Sequence, residues 1–307
     1  MFLLQAFLPG NRFWKYILGG LLIFLASIIG QMPLLIAVIA KSFVDGKPMP
    51  AVTSDFMSVL SKNQTFFLLL LSFAVTLVGI YFVVKIHNQK FKDIVTSRPN
   101  IDWSRFFFAF SIWAVFQVLT TIIGYFASPE DYVLNFDLVP FLILFVIALV
   151  MIPIQTSVEE LMFRGYFMQG FGLLAKNKWV PLLVTSVSFG LLHFANPEVD
   201  KLGNIVMVYY IGTGLFLGIL TLMDEGLELA LGFHAANNLI GALLITSDWS
   251  AFQTNSVFID VSDPGAGFET VLPVFVIYPI LLFVFSKKYS WNNWKEKLTG
   301  KLIQEEN

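Results

Sequence analysis

The sequence contains no cysteine. Disulfides, cysteine-ligated zinc, iron–sulfur clusters and a thiol nucleophile are excluded together, while the redox compartment stays open. Charge is scarce as well. Only 13% of the 307 residues are charged, against about 25% in an ordinary soluble domain. A soluble globule of this length needs a charged shell that this chain cannot supply. The net charge of -2 gives no electrostatic footprint for a nucleic acid. HExxH, GxSxG, Walker and GxGxxG patterns are all missing, and no internal repeat or low-complexity tract is visible. What the chain has is apolar surface: 57% of residues are hydrophobic and the mean hydropathy is +0.75. The same composition excludes disorder, collagen and coiled coil. A polytopic membrane protein is what remains.

A helical span needs about 20 apolar residues. Eight candidates lie at about 16–40, 65–86, 106–127, 139–158, 178–196, 203–223, 227–247 and 270–286. These runs are continuously apolar, so the period-two strands of an outer-membrane barrel are disfavoured. The expected fold is an all-α membrane helix bundle forming a single domain over 1–307, with polar loops near 41–64 and 248–269. The first run is too long for a cleavable signal and lacks a small-residue cleavage site. Charge sets the orientation. Arg12, Lys15, Lys85, Lys90, Lys92, Arg98, Arg105, Arg164, Lys176, Lys178, Lys287, Lys288, Lys295, Lys297 and Lys301 fall on one side. Lys41, Lys47, Lys62 and Lys201 fall on the other. Fifteen of the 19 basic residues therefore mark the cytoplasmic side, which also holds both termini and a tail over 287–307.

The apolar run from about 138 to 175 is longer than a bilayer requires, more than ~50 Å as a continuous helix. Pro153 should kink or break it. Lys176-Asn177-Lys178 is the polar break before the next run. It is expected to form a wet hairpin tip standing beyond the membrane surface, with a cavity open to the cytoplasm.

Ionisable residues inside apolar runs cost roughly 2.5–3.5 kcal/mol each on insertion scales, so each needs a reason. Three clusters stand out between about 139 and 247. In Glu159-Glu160-Leu161-Met162-Phe163-Arg164, Glu160 and Arg164 share a helical face and can pair. Glu159, rotated by about 100°, points elsewhere. Phe189-Gly190-Leu191-Leu192-His193 places a histidine late in its run. In His234-Ala235-Ala236-Asn237-Asn238, His234 and Asn238 are on one face, where two buried donors can converge on a developing oxyanion. Each cluster also has a bland reading: a structural ion pair, a satisfied core histidine, interhelical polar glue. His87 reads as an interface residue, Gly214 and Gly218 as helix packing, and Asp224, Glu225 and Glu228 as a solvated turn.

Adjacent glutamates with arginine four after the second, then Phe-xxx-His, then His-xxx-Asn, in that order, resemble the CPBP family. This family comprises the CAAX proteases and bacteriocin-processing enzymes, also called Abi. The resemblance implies an intramembrane endopeptidase. By position, Glu159 and His193 would activate the attacking water, His234 and Asn238 would form the oxyanion hole, and Glu160 and Arg164 would support the site. It implies no required cofactor. A His₂Glu zinc site from Glu159, His193 and His234 is the alternative. The expected partners are a peptide or membrane-protein substrate and the bilayer itself, in the cytoplasmic membrane of a bacterium. Two other classes stay open. One is a proton-coupled transporter, although the chain lacks repeat symmetry. The other is a non-catalytic immunity or scaffold protein.

Overall fold

Backbone amides in hydrocarbon have no water to bond, so a long apolar run must close its hydrogen bonds within itself, as a helix. The computed structural model describes residues 1–46, 58–263 and 267–302, and the runs are helical there. In chain order the helices are α1 (Phe13–Val44), α2 (Lys62–Ile86), α3 (Trp103–Ala127), α4 (Leu138–Glu160), α5 (Met168–Ala175), α6 (Trp179–Leu192), α7 (Pro197–Leu202), α8 (Val206–Asp224), α9 (Glu228–Leu244), α10 (Phe268–Leu272), α11 (Tyr278–Lys288) and α12 (Trp294–Thr299). Polar residues mark several starts. Ser61 and Gln64 form a capping box on α2, and the Asp102 carboxylate accepts from the Ser104 amide at 3.0 Å on α3.

Among the described residues six helices are long and apolar enough to cross a membrane: α1, α2, α3, the continuous 138–175 helix, α8, and the 268–288 helix containing α10 and α11. The protein is a polytopic helical membrane bundle. The other two expected spans appear as shorter helices, α6 with 14 residues and α9 with 17. Both lie inside the bundle: α6 packs on α8, and α9 packs on α3 and α4. α8 is the most enclosed long helix, with 67% of its apolar window buried against 11–33% for the others. Gly214 and Gly232 permit two close approaches between helices. A Cβ on Gly214 would meet the Ser186 carbonyl oxygen of α6 at 2.7 Å, and one on Gly232 would collide with the Phe106 carbonyl oxygen of α3. The packing role read for Gly214 and Gly218 matches these contacts, since Gly218 abuts Leu182.

Pro153 does not end the long helix, which runs through it from Leu138 to Ala175. The departure from α geometry comes later, as a π-helical turn over Leu161–Phe167 that joins α4 to α5. Bundled neighbours tolerate a membrane proline, and π turns recur at functional sites.

One end of the bundle gathers the basic loops. The Phe2 amide and the Lys297 ammonium both reach the Glu225 carboxylate, each at 2.5 Å, so the N-terminal segment and α12 meet there. The turn at 224–228 is not solvated, contrary to expectation. Asp224 and Glu228 are buried, held by Arg98 at 2.8 and 2.9 Å, and Arg105 also bonds Asp224. The 176–178 tip is likewise not a free wet tip. Lys178 is 3% exposed and donates to the Glu296 carbonyl at 2.8 Å, while Asn177 pairs with Lys301. The segment from Trp294 to Lys301 reaches back to the tip through these contacts. A small cleft at this end is lined by Met1, Phe2, Leu3, Lys178, Leu222, Glu225 and Lys297, none of them a site candidate. At the opposite end three short strands, Tyr132–Leu134 (β1), Ile245–Thr246 (β2) and Phe258–Asp260 (β3), form a sheet in the order β1-β3-β2. β1 runs antiparallel and β2 parallel to β3. Lys47 and residues 303–307, counted in the loop and tail readings, lie outside the described residues.

Candidate active site

α4 delivers two carboxylates to different surroundings. Glu160 is fully buried and accepts from Arg164 at 3.0 Å, and both side chains are 0% exposed. Its Oε1 also contacts His234 Nδ1 at 2.8 Å. Arg164, on the π turn, sends a second N–H to the Gly214 carbonyl at 3.1 Å and lies 4.3 Å from the Phe189 ring centroid. A buried arginine thus ties α4, α6 and α8 together. Glu159, one residue earlier, has a side chain 15% exposed. Its Oε1 accepts from Gln155 Nε2 at 2.6 Å. Its Oε2 is buried with no hydrogen-bond partner and lies 3.6 Å from His234 Nε2. The pairing of Glu160 with Arg164 and the separate direction of Glu159 are as the helical spacing predicts.

α9 supplies His234, Asn237 and Asn238. A carboxylate paired with arginine only accepts, so Glu160 makes Nδ1 the protonated nitrogen of His234 and leaves Nε2 toward Glu159. Asn238 Nδ2 donates to Gln155 Oε1 at 2.9 Å. His193 caps the end of α6. Its Nδ1 bonds the Phe189 carbonyl at 2.8 Å, which likewise leaves Nε2 available, and its ring stacks on Tyr210 at 4.4 Å. Phe189 is the hub between the histidines, with ring centroids 4.7 Å from His193 and 6.1 Å from His234.

The structure therefore brings Glu159, Glu160, Arg164, His234 and Asn238 into one contact cluster. His193 stands beside it across Phe189, with no direct hydrogen bond or ion pair to Glu159 among the described residues. Histidines with Nδ1 on an acceptor and Nε2 available suit a base or a metal ligand equally. Among the described residues, however, no three His, Asp or Glu side chains are grouped to hold a metal ion. The Glu159, His193 and His234 set is not assembled as zinc ligands in this arrangement.

Sequence reasoning missed Gln155, Asn237, Trp113 and Tyr210. Gln155 was open to detection: a lone amide in an apolar run, four residues before Glu159 and so on the same helical face. Trp113 and Tyr210 carry no local signal, because aromatic residues are common in these runs.

A family profile described as type II CAAX prenyl endopeptidase, Rce1-like, matches residues 138–240. Over that segment, about a third of the chain, the sequence is similar to this family. The matched residues run from the start of α4 to Ile240 in α9 and include every residue of the cluster. The uncharacterized protein YyaK of Bacillus subtilis is 29% identical over 252 residues, covering 81% of each chain. No solved structure matches. The similarity of this segment to a CAAX-type endopeptidase family, in a bundle with six membrane-length apolar helices among the described residues, suggests a multi-pass intramembrane endopeptidase.

Proposed function

We propose that the protein is a glutamate-dependent intramembrane endopeptidase whose base is Glu159. The observation that carries this reading is the division of labour between adjacent carboxylates. Glu160 is fully buried and ion-paired with Arg164, whereas Glu159 has no arginine or lysine partner among the described residues and its side chain is 15% exposed within the polar cluster. In the proposed reaction a water gives its proton to Glu159 while its oxygen attacks the peptide carbonyl. The carbonyl oxygen takes up negative charge and is met by an N–H of Asn238 and by Nε2–H of His234 as an imidazolium, whose Nδ1–H stays on Glu160. Collapse of the adduct breaks the C–N bond, and the proton held by Glu159 goes to the leaving amine. His193 orients the water through Nε2. Phe189 and Tyr210 hold that ring in place.

The contact between His234 Nε2 and Glu159 supports a second reading, in which the two histidines exchange roles and His234 shares the water with Glu159. The variants separate the two. With an oxyanion role, His234→Gln keeps a donor and retains part of kcat; with a water-binding role it is as inactive as Glu159→Gln. Both readings need no metal, and activity then survives exhaustive chelation. Chelator-sensitive activity restored by zinc would instead support the metalloenzyme.

The substrate is proposed to be a membrane-bound peptide or protein, cleaved from the cytoplasmic membrane of a bacterial cell. The experiment is cleavage by protein in liposomes of a quenched-fluorescence panel. It includes peptides ending in a prenylated CAAX sequence and bacteriocin-precursor-like peptides without a lipid. Wild type should cleave at least one class and Glu159→Gln none. Uptake without cleavage would indicate a transporter, and binding without either a scaffold.

A further inference from the structure

The buried amides around the cluster form a single directional chain. Trp113 Nε1 donates to Asn237 Oδ1 at 3.0 Å, Asn237 Nδ2 donates to Asn238 Oδ1 at 3.0 Å, Asn238 Nδ2 donates to Gln155 Oε1 at 2.9 Å, and Gln155 Nε2 donates to Glu159 Oε1 at 2.6 Å. It crosses from α3 through α9 to α4.

The two ends of this chain differ in kind from its middle. A side-chain amide can be turned end for end, because it both donates and accepts. An indole N–H only donates, and a carboxylate only accepts. Trp113 at one end and Glu159 at the other therefore impose the same polarity on all three amides between them. Trp113 is fixed in place: it is 5% exposed and its ring lies 4.9 Å from Phe116 and 4.5 Å from Phe233. The Tyr209 hydroxyl also interacts with the Asn237 side chain. With this polarity the Asn238 amide has one N–H on Gln155. Its other N–H has no protein acceptor among the described residues. The reversed amide would present a carbonyl oxygen in that position, where a developing oxyanion would be repelled.

We propose that Trp113, Asn237 and Gln155 are a polarity relay in which Gln155 is the positioning residue: it holds the Glu159 carboxylate by one oxygen and the Asn238 amide donor-side out. This rests on the endopeptidase reading for the roles of Glu159 and Asn238, but the relay itself is a property of the fold.

The test uses Gln155→Met, which keeps the length of the side chain and removes both bonds, Trp113→Phe, which removes only the distant N–H, and the double variant. The probe is a panel peptide that wild type cleaves, together with its peptide aldehyde, whose hydrate mimics the tetrahedral adduct. Gln155→Met should lower kcat about 100-fold, the scale of an ångström-sized misplacement, with KM within about twofold. Aldehyde affinity should fall in parallel with kcat. Trp113→Phe should show a smaller kcat loss with KM unchanged. The double variant should be no worse than Gln155→Met, because members of one chain are not additive. Wild-type kcat in Gln155→Met, or losses that multiply, overturns the relay. If wild type cleaves nothing, the enzyme reading fails and the relay is still decided by thermal unfolding of the same four proteins. Trp113 and Gln155 do not touch, so non-additive Tm shifts support the relay and additive shifts overturn it.

Discussion

Glu159 and Glu160 are chemically identical and adjacent, and the helix gives them opposite fates. Glu160 is one of three groups in a buried ionic knot with Arg164 and His234. Removing one partner of a buried pair strands the others, a loss of about 3–5 kcal/mol. Glu160→Gln should therefore lower thermal stability markedly. Glu159→Gln should abolish cleavage with Tm close to wild type, because Gln155 can still bond the new side chain. Near-wild-type turnover in Glu159→Gln would remove it from the base role. His87, read as an interface residue, is a buried hub outside the spans. It bonds Asn11 and Tyr166, each at 2.7 Å. Burial, with a smaller contribution from Lys15, pushes its imidazole down to about 4. Its folded form thus resists protonation while the unfolded chain binds a proton below about 6.5. Stability from this residue is present above that pH and is lost as pH falls toward 4. Thermal melts from pH 7 to 4 should show the decline, and His87→Gln should flatten it.

At the scale of elements, the α6–α8 contact and the π turn hold the site. Gly214 packs tightly against the Ser186 backbone of α6, and its carbonyl is also an acceptor for Arg164. Gly214→Ala must separate the helices or shift the Ser186 backbone, at about 1–3 kcal/mol for overpacking. Because the same carbonyl holds Arg164, the variant should lose cleavage more than its Tm predicts. A Leu182→Ala variant, relieving space beside Gly218 instead, should lose stability without a separate loss of turnover per folded molecule. Equal behaviour of the two would show that the Gly214 carbonyl has no special part.

At the scale of the whole molecule, the basic loops, the buried acids of the 224–228 turn, the N-terminal segment and α12 form one layer at one end of the bundle. From the charge asymmetry we propose that this end faces the cytoplasm. The absence of native cysteine gives a clean background for labelling. Lys62→Cys and Asp263→Cys should react with an impermeant thiol reagent in intact cells. Lys295→Cys, an exposed residue that avoids the ion pair of Lys297 with Glu225, should react only after permeabilisation. The opposite pattern would invert the topology.

The sequence by itself determined the class of fold and the chemical inventory of the site. Continuous apolar runs leave a chain no option but membrane helices, and the i,i+4 relation of Glu160 to Arg164 and of His234 to Asn238 is a local property of any helix. Local period also separated Glu159 from Glu160. What happens between helices was not legible. The turn at 224–228 looked solvated because its acids are adjacent in sequence, whereas Arg98 and Arg105, which bury them, arrive from more than 100 residues away. The 176–178 tip looked wet because the segment that covers Lys178 follows much later in the chain. Gln155 and Trp113 gained meaning only when α3, α4 and α9 met. The tertiary structure alone decided which buried polar atoms are partnered, since hydrogen-bond polarity is set by donors and acceptors from different helices and no single run contains both ends of the chain.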